Sequence, residues 1–269
     1  MRLIHKTLLC SLAAAGTLIP APCRADSTSA PTPAPPSTSV SAEDEYSPSY
    51  QGESGSSNLI DLRAQIPYDN SAWVLRLKLP IVTAAPSASL TGAGDLSLWD
   101  LAVLNVGQGQ WLLGPTLRIP IGNDTLGTHK YSAGPSFGYI EQRGGHTYLA
   151  FGFFAQSFFS VIGPSWYPGV SKTQIAPVLK IVFPSGVAVG LSAMQFTYDW
   201  VINRWTDVPV GLRVGKKPLS ARLSALDAYF EAERNLVHTP DTPGWTIRGL
   251  FRWRFFGPQN APTDSDQDQ

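Results

Sequence analysis

The chain has 269 residues and carries 20 basic and 20 acidic side chains, so its formal net charge is zero. This balance excludes the long-range positive field that draws nucleic acid to a protein. Only 15% of the residues are charged, against about 25% in soluble domains, while aromatic residues reach 11%. A low charged fraction in a sequence without a long apolar helix favours a lipid-facing surface built from strands.

The first 25 residues have the order of a secretory signal peptide. Arg2 and Lys6 precede an apolar stretch over residues 7–19, and small residues follow as far as Ala25. The apolar stretch is shorter than the roughly 20 residues of a membrane-spanning helix, and no stop-transfer pattern follows it. We therefore predict export through the inner membrane and cleavage after Ala25.

Both cysteines, Cys10 and Cys23, lie inside this predicted signal peptide, so no disulfide is expected in the mature chain. Cys23 could alternatively become the lipid-modified N-terminus of a lipoprotein. The sequence Pro20–Ala21–Pro22 before it is a poor match to a lipoprotein signal and disfavours that alternative.

Two segments flank the predicted folded domain. Residues 26–57 are rich in Ser, Thr, Pro, Glu and Gly and predict a flexible, low-complexity linker, because they bury too little apolar area to offset the entropy cost of ordering. Within this linker, residues 41–54 hold a possible weak first strand, against which Pro48 and Gly52 argue. The acidic tail 257–269 is predicted to be disordered, which leaves residues 58–256 as the domain.

Apolar and polar residues alternate with a period of two along this domain, which predicts β-strands. In the last strand Trp245, Ile247 and Phe251 alternate with Thr246 and Arg248. Each predicted strand has about 10 residues or more, as tilted transmembrane strands do, whereas soluble strands have about 5 or 6. The predicted strands are 58–68, 72–81, 94–106, 110–121, 131–141, 146–157, 172–183, 186–197, 207–216, 218–232 and 245–255.

The connections between these strands alternate between short and long, as the periplasmic turns and external loops of outer-membrane barrels do. The short links are DNS, GQGQ, RGGH, PSG and GKKP, and the long ones span 82–93, 122–130, 158–171, 198–206 and 233–244. An even, closed barrel needs one further strand upstream, within 41–54. The predicted fold is therefore all-β, an antiparallel transmembrane β-barrel of about twelve strands preceded by a signal peptide and a disordered linker.

Four prolines fall inside predicted strands: Pro115, Pro135, Pro177 and Pro209. Proline has no backbone N–H, so each should remove one hydrogen bond from the sheet. We expect these prolines to lie at bulges or at strand starts.

If the apolar faces point to lipid, the opposite faces line the lumen. Twelve strands should enclose a narrow lumen, between side-chain-filled barrels of about 8 strands and open porins of about 16. A basic lining could favour anionic solutes, or its side chains could instead form salt-bridge networks that only stabilise the wall. The sequence predicts few acidic partners on these faces. The lumen-lining candidates are Arg63, Arg76, Lys78, Arg118, Lys180, Arg213, Arg222, Arg248, Arg252 and Arg254.

Other kinds of site have little support in the sequence. The nearest base and nucleophile, His129 and Ser132, lie at a loop-to-strand junction without a supporting Asn or Asp, so catalysis is not expected. No histidine pair has the spacing of metal ligands, and no phosphate-binding glycine loop is present. The uncharged run 147–171 could be a transmembrane helix, but Gly163, Pro164 and Pro168 interrupt it. We expect no cofactor and no metal.

Four segments resemble a known family: GAGDLSLWDLAVL at 92–104, GPTLRIPIGNDTLGTHKYSAGPS at 114–136, VPVGLRVGKK at 208–217 and GWTIRGLFRWRF at 244–255. They are similar to bacterial outer-membrane barrels labelled "neuromedin U" or "transporter", which are related to barrels of the meta pathway (MetA type) of phenol degradation. The resemblance covers residues 58–256. It implies a barrel of about twelve strands that passes small molecules, hydrophobic or aromatic ones among them.

These observations together predict a passive channel in the outer membrane of a Gram-negative bacterium, not an enzyme. The expected partners are outer-membrane lipid, the barrel-assembly machinery that inserts such proteins, and a small-molecule solute. The alternatives are a structural or surface-interaction barrel with a blocked lumen and, with less support, a lipid-active outer-membrane enzyme.

Overall fold

The computed structural model describes residues 36–50, 55–85, 91–123, 126–220, 222–237 and 242–255. Within these ranges the chain forms a single sheet. No helix of the described residues is long and apolar enough to cross a membrane. The strands are β1 (Thr38–Tyr50), β2 (Ser57–Tyr68), β3 (Trp73–Ala84), β4 (Gly92–Ala93), β5 (Leu96–Val106), β6 (Gly109–Ile119), β7 (Tyr131–Gly144), β8 (Tyr148–Ile162), β9 (Ser171–Val182), β10 (Val187–Leu191), β11 (Phe196–Asp199), β12 (Arg204–Asp207), β13 (Pro209–Lys216), β14 (Leu226–Asn235) and β15 (Pro243–Phe255).

The sheet closes on itself as an antiparallel barrel. Strands that follow one another in the chain pair with each other, and β15 pairs with β1 to close the ring. Three positions in the wall are each built from two consecutive segments: β4 with β5, β10 with β11, and β12 with β13. The described residues therefore supply twelve wall positions, which confirms the predicted all-β barrel.

The strand that closes the barrel lies in the predicted linker. β1 pairs with β15 from Thr38 to Tyr50 and with β2 from Ser39 to Ser47. The prediction that 26–57 is a flexible linker is therefore wrong over β1, and the weak strand expected within 41–54 begins earlier, at residue 38. Backbone hydrogen bonds to β15 and β2 hold β1 in the sheet, although its Ser- and Glu-rich side chains have a low propensity for strands. Residues 26–35, the signal peptide and the tail 257–269 lie outside the described ranges.

Side chains in the wall alternate between the two faces of the sheet. On β15, Trp245, Ile247 and Phe251 are exposed on the outer face, whereas Thr246 and Leu250 are buried on the inner face. The same alternation runs around the ring and leaves a continuous outer surface of large apolar side chains. Such a surface is unfavourable in water and suited to acyl chains, because lipid is as apolar as the side chains themselves.

Most of the predicted short turns lie at one end of the barrel, as the up-and-down order of the strands requires. The turns at 69–72, 107–108, 145–147 and 183–186 all lie at the end of the barrel where β1 begins and β15 ends. The prediction of a short GKKP link is wrong, because β13 ends at Lys216 and β14 begins only at Leu226.

The loop predicted over 198–206 is also shorter in the structure. Strands β11 and β12 continue the wall upward and leave only residues 200–203 as the connection. The side chains of Tyr198 and Trp205 lie on the paired strands, with ring centroids 5.3 Å apart. This cross-strand aromatic contact extends the hairpin into sequence that reads as a loop.

The prolines inside strands lie where a backbone ladder lapses. Pro115 of β6 and Pro135 of β7 face each other across one pair. Pairing of β6 with β5 is absent at Pro115, and pairing of β7 with β8 is absent at Pro135. Gly114 and Gly134 precede them, and a Cβ on either would lie about 2 Å from a carbonyl oxygen of the neighbouring strand. Pro209 is the first residue of β13, as expected for a strand start.

The wall is interrupted at one position near its mid-height. Between β10 and β11, residues 192–195 leave the ladder, and β9 has no partner on this side over 176–179, which includes Pro177. The N–H of Ala193 donates to Oε2 of Glu231 at 2.7 Å, and Glu231 is buried on the inner face of β14. The interrupting segment therefore turns toward the lumen.

The direction of the side chains can be tested with one chemical change at two positions of β2. Leu62 is exposed on the outer face near the middle of the strand, whereas Leu59 lies on the inner face opposite Glu45. Leu62→Arg is expected to lower the free energy of unfolding by about 2–4 kcal/mol, because it places a cation in the acyl region. Leu59→Arg should cost less than about 1 kcal/mol, since it meets a carboxylate.

The measurement is guanidinium chloride unfolding of the protein folded into lipid vesicles, followed by tryptophan fluorescence. Equal losses for Leu62→Arg and Leu59→Arg would contradict the assignment of the outer face to lipid.

Candidate functional site: the charged lumen

The inner face of the barrel carries acidic side chains that the sequence pattern did not reveal. They lie on β14, β1 and β2, and their basic partners lie on β13, β15, β2 and β3. A carboxylate buried in the wall is stable only when it is paired, so this side of the lumen should be a network of ion pairs. The acids that are at most 2% exposed are Glu43, Asp61, Asp227, Glu231 and Glu233.

Arg248 on β15 is the centre of this network. Its Nε lies 2.7 Å from Oε2 of Glu45, and one of its terminal nitrogens lies 2.5 Å from Oε1 of Glu233. Two further carboxylates, of Glu43 and Glu231, lie 4.0 and 3.9 Å from it. One guanidinium on β15 thus reaches acids of both neighbouring strands, β14 and β1, at the strand pair that closes the barrel.

A second set of ion pairs extends the network across β2 and β3. Arg63 donates to Oε1 of Glu43 at 2.6 Å and to Oδ2 of Asp61 at 2.9 Å. Lys78 on β3 lies 2.6 Å from the same oxygen of Asp61. The carboxylate of Glu43 therefore links this set to Arg248, and the network continues over five strands.

The network also reaches the turn end of the barrel. Arg213 on β13 donates through Nε to Glu231 at 2.6 Å, and Arg254 lies 3.0 Å from Asp227. In the connection after β13, burial lowers the pKa of the Lys217 ammonium against the opposing attraction of Asp227. The cations of Arg254 and Arg252 lower that pKa further, because like charges nearby disfavour the ionised ammonium.

The opposite wall of the lumen is apolar. A buried cluster lies on the inner faces of β3, β5, β6 and β8 and consists of Val74, Trp99, Leu101, Val103, Leu112 and Phe158, with Phe154 and Val170 packed against it. Its polar atom is satisfied, because Nε1 of Trp99 donates to Oε1 of Gln156 at 2.5 Å. The lumen thus has a charged half and an apolar half.

Four cations lie on inner faces and have no carboxylate partner among the described residues: Arg76, Arg118, Lys180 and Arg252. Arg76 donates to Oε1 of Gln65 at 3.1 Å, and the guanidinium of Arg118 lies 4.2 Å from the ring centroid of Phe158. These side chains differ from the paired cations of the network, since no acid of the described residues lies within salt-bridge distance of them.

The structure places nine of the ten predicted lumen residues on inner faces of strands. Arg222 is the exception: it is exposed in the connection between β13 and β14. Its assignment to the lumen is wrong because the predicted strand 218–232 includes the turn, and β14 begins at Leu226. The expectation of few acidic partners is wrong as well, since acids on β1, β2 and β14 pair with five of these nine cations.

A pattern in the sequence could have revealed the acids of β1. Ser39, Ser41, Glu43, Glu45 and Ser47 occupy every second position and face inward. The outward positions of β1 include Asp44 and Pro48 among apolar residues. The alternation of apolar and polar residues is therefore incomplete, and the strand is difficult to recognise in the sequence. The acids of β14 are hidden differently, because a strand predicted over the wrong residues carries the wrong register.

Neither catalysis nor metal binding is supported by the described residues. The imidazole of His129 stacks on Tyr167, with ring centroids 4.0 Å apart. Ser132 is buried on the inner face of β7, opposite Arg118. Within the described ranges no group of three potential metal ligands occurs.

Comparison with known proteins supports the fold. No protein-family model matches the chain, and no curated protein does. The chain is similar to the COG4313 outer-membrane channel from Pseudomonas putida F1, with 15% identity, a TM-score of 0.60 and coverage of 82% of this chain and 97% of that one. It is also similar to the KdgM porin solved in complex with disordered oligogalacturonate, with 9% identity, a TM-score of 0.51 and coverage of 81% and 99%.

Identities this low establish the fold alone. Both neighbours are outer-membrane barrels, one described as a channel and the other as a porin. Together with the closed ring and the apolar outer face, they show that this chain has the fold of an outer-membrane β-barrel of the channel and porin type.

The central position of Arg248 leads to a stability prediction. Arg248→Met should lower the free energy of unfolding by about 3–5 kcal/mol, because it leaves the buried carboxylate of Glu233 and the half-buried carboxylate of Glu45 without their cation. Arg143→Met is the matched control: Arg143 is exposed at the end of β7 and pairs with Glu141, so its loss should cost less than about 1 kcal/mol. Both are measured by guanidinium chloride unfolding in vesicles, and an Arg248→Met barrel as stable as the control would refute the central role.

Proposed function

We propose that this protein is a passive channel of the outer membrane that lets small solutes cross through the barrel lumen. The observation that supports it is the contrast between the two surfaces of one wall. The outer face is apolar, whereas the inner face carries ion pairs, amides and hydroxyls such as those of Glu43, Gln156 and Ser136. A polar lumen in an apolar cylinder is the arrangement by which barrels conduct water and small solutes.

The solutes are small, because twelve wall positions enclose a lumen much narrower than that of porins with about 16 strands. The half-buried ring of Phe154, which packs against the apolar cluster of the barrel interior, supports solutes with a hydrophobic or aromatic part. The resemblance of four segments to the barrels labelled "neuromedin U" or "transporter" points the same way.

Export and insertion are part of the same proposal. A signal peptide cut after Ala25 would deliver the chain to the periplasm, and the barrel-assembly machinery would insert it into outer-membrane lipid. Intact-mass measurement of protein extracted from outer membranes is expected to show a chain that starts at Asp26. A mass that includes residues 1–25, or recovery of the chain in the soluble periplasmic fraction, would contradict this route.

Passage through the lumen can be tested with two neighbouring residues of β9. Val178 faces inward opposite Gly152, and Leu179 faces outward. Val178→Trp should lower single-channel conductance in planar bilayers, because it adds a bulky ring to a narrow lumen, whereas Leu179→Trp should leave the conductance unchanged. Equal effects of Val178→Trp and Leu179→Trp would show that ions do not cross through the lumen.

The competing function is a structural or surface-interaction barrel whose lumen is blocked. A deletion of residues 26–35 separates the two, and it stops there because β1 begins at Thr38. Conductance and liposome swelling with small sugars are expected for the channel. No conductance from either the mature protein or the deletion variant would favour the blocked barrel.

A further inference from the structure

Three of the cations without a carboxylate partner share one region of the lumen. They are Arg76 on β3, Lys180 on β9 and Arg252 on β15. The acids nearest to them are occupied by other cations. Asp227, which lies opposite Arg252 across the β14–β15 pair, contacts Arg254, and Glu231 contacts Arg213. None of the three has an acidic group of the described residues within salt-bridge distance.

These three cations come from separate parts of the wall. Around the ring, β3 and β9 lie three and four positions from β15, on opposite sides of it. All three nevertheless occupy inward positions of their strands and point into the same narrow lumen, where Arg252 is within electrostatic range of both Arg76 and Lys180. The ends of these long side chains therefore gather within the lumen instead of lying along separate strands.

A group of like charges removed from bulk water is unfavourable unless something neutralises it. Arg63, Arg213 and Arg248 follow that rule, since each contacts a buried acid, and the guanidinium of Arg118 lies over the ring of Phe158. Arg76, Lys180 and Arg252 depart from it together and in one place. A bound anion would remove the imbalance and would receive charge-assisted hydrogen bonds from three directions.

The cationic group borders the apolar half of the lumen. The guanidinium of Arg76 lies 5.9 Å from the ring centroid of Phe154, which packs against the cluster that contains Phe158. On the other side, Tyr229 on β14 lies within electrostatic range of Arg252. A ligand that reaches these cations therefore has apolar and aromatic surface beside it.

We propose that Arg76, Lys180 and Arg252 form a binding site in the lumen for small organic anions with an apolar body, such as monocarboxylates. The carboxylate contacts the three cations, and the apolar body packs toward Phe154. The inference builds on the proposed channel function, because it states which class of solute the lumen selects. The binding itself does not require conduction.

Binding is tested first, on the folded mature protein in detergent. Benzoate and the uncharged benzamide, which have nearly the same shape, are titrated by calorimetry. Benzoate is expected to bind and benzamide is not. The triple variant Arg76→Gln/Lys180→Gln/Arg252→Gln should weaken benzoate binding by at least about tenfold, because it removes the charge-assisted hydrogen bonds.

The control variant carries the same change of net charge at exposed positions: Arg143→Gln/Arg204→Gln/Arg222→Gln. It should bind benzoate as the unchanged protein does. Arg76→Lys/Arg252→Lys, which keeps the charges, should retain at least part of the affinity. Heat-dependent migration on a denaturing gel shows whether each variant is folded. Absence of benzoate binding, or equal loss in the control variant, would overturn the site.

Ion selectivity is tested separately, by the reversal potential of the channel in a KCl gradient across a planar bilayer. The unchanged protein should prefer chloride to potassium, and the triple glutamine variant should reduce that preference by roughly tenfold, since a cationic lining concentrates anions locally. Conduction without anion preference would overturn the site and leave the proposed channel intact. Benzoate binding without any conduction would instead leave the site standing and refute the channel.

Discussion

The structure depends on the requirement that every backbone N–H and C=O of the wall be paired, because lipid offers no hydrogen-bond partner. In an open sheet the two edge strands would leave a row of these groups in the acyl region. The ladder between β1 and β15 removes both edges. This requirement explains why a Ser- and Glu-rich segment is a full strand: the backbone of its neighbours needs a partner, whatever side chains that partner carries.

Closure also accounts for the charge network. The strand that completes the ring places Glu43 and Glu45 next to Arg248, and β14 adds Glu231 and Glu233 from the other side. Each of these acids would be unfavourable in a dry wall on its own. Together they surround a guanidinium at the seam between the two ends of the chain. The ion pairs thus favour this particular pairing of β1 with β15, while the backbone hydrogen bonds between the two strands close the sheet.

The two halves of the lumen give the barrel an uneven interior. One side holds a packed apolar cluster around Trp99 and Phe158, with Phe154 beside it, and the other side holds paired charges. Arg76 lies at the boundary between them, 5.9 Å from the ring centroid of Phe154. An amphipathic solute matches such a boundary better than either a sugar or a hydrocarbon does, because each of its ends meets a surface of its own kind.

The amino-acid sequence by itself determined the strands that alternate regularly, such as β15, and the facing of Trp245 and Phe251 away from Arg252. Period-two alternation is a local property, so it can be read without knowing the neighbours. The sequence also determined the number of wall positions, since strand lengths and an even count leave few choices.

Only the tertiary structure decided which strand closes the ring and which acid pairs with which cation. β1 is a strand because β15 and β2 lie on either side of it, and Glu43 meets Arg248 across 205 residues of chain. Arg222 shows that residue type alone can mislead. An arginine is suited to a polar lumen, but the connection between β13 and β14 places Arg222 outside it. Contacts between distant segments follow from pairing and register, and neither is encoded in a local pattern.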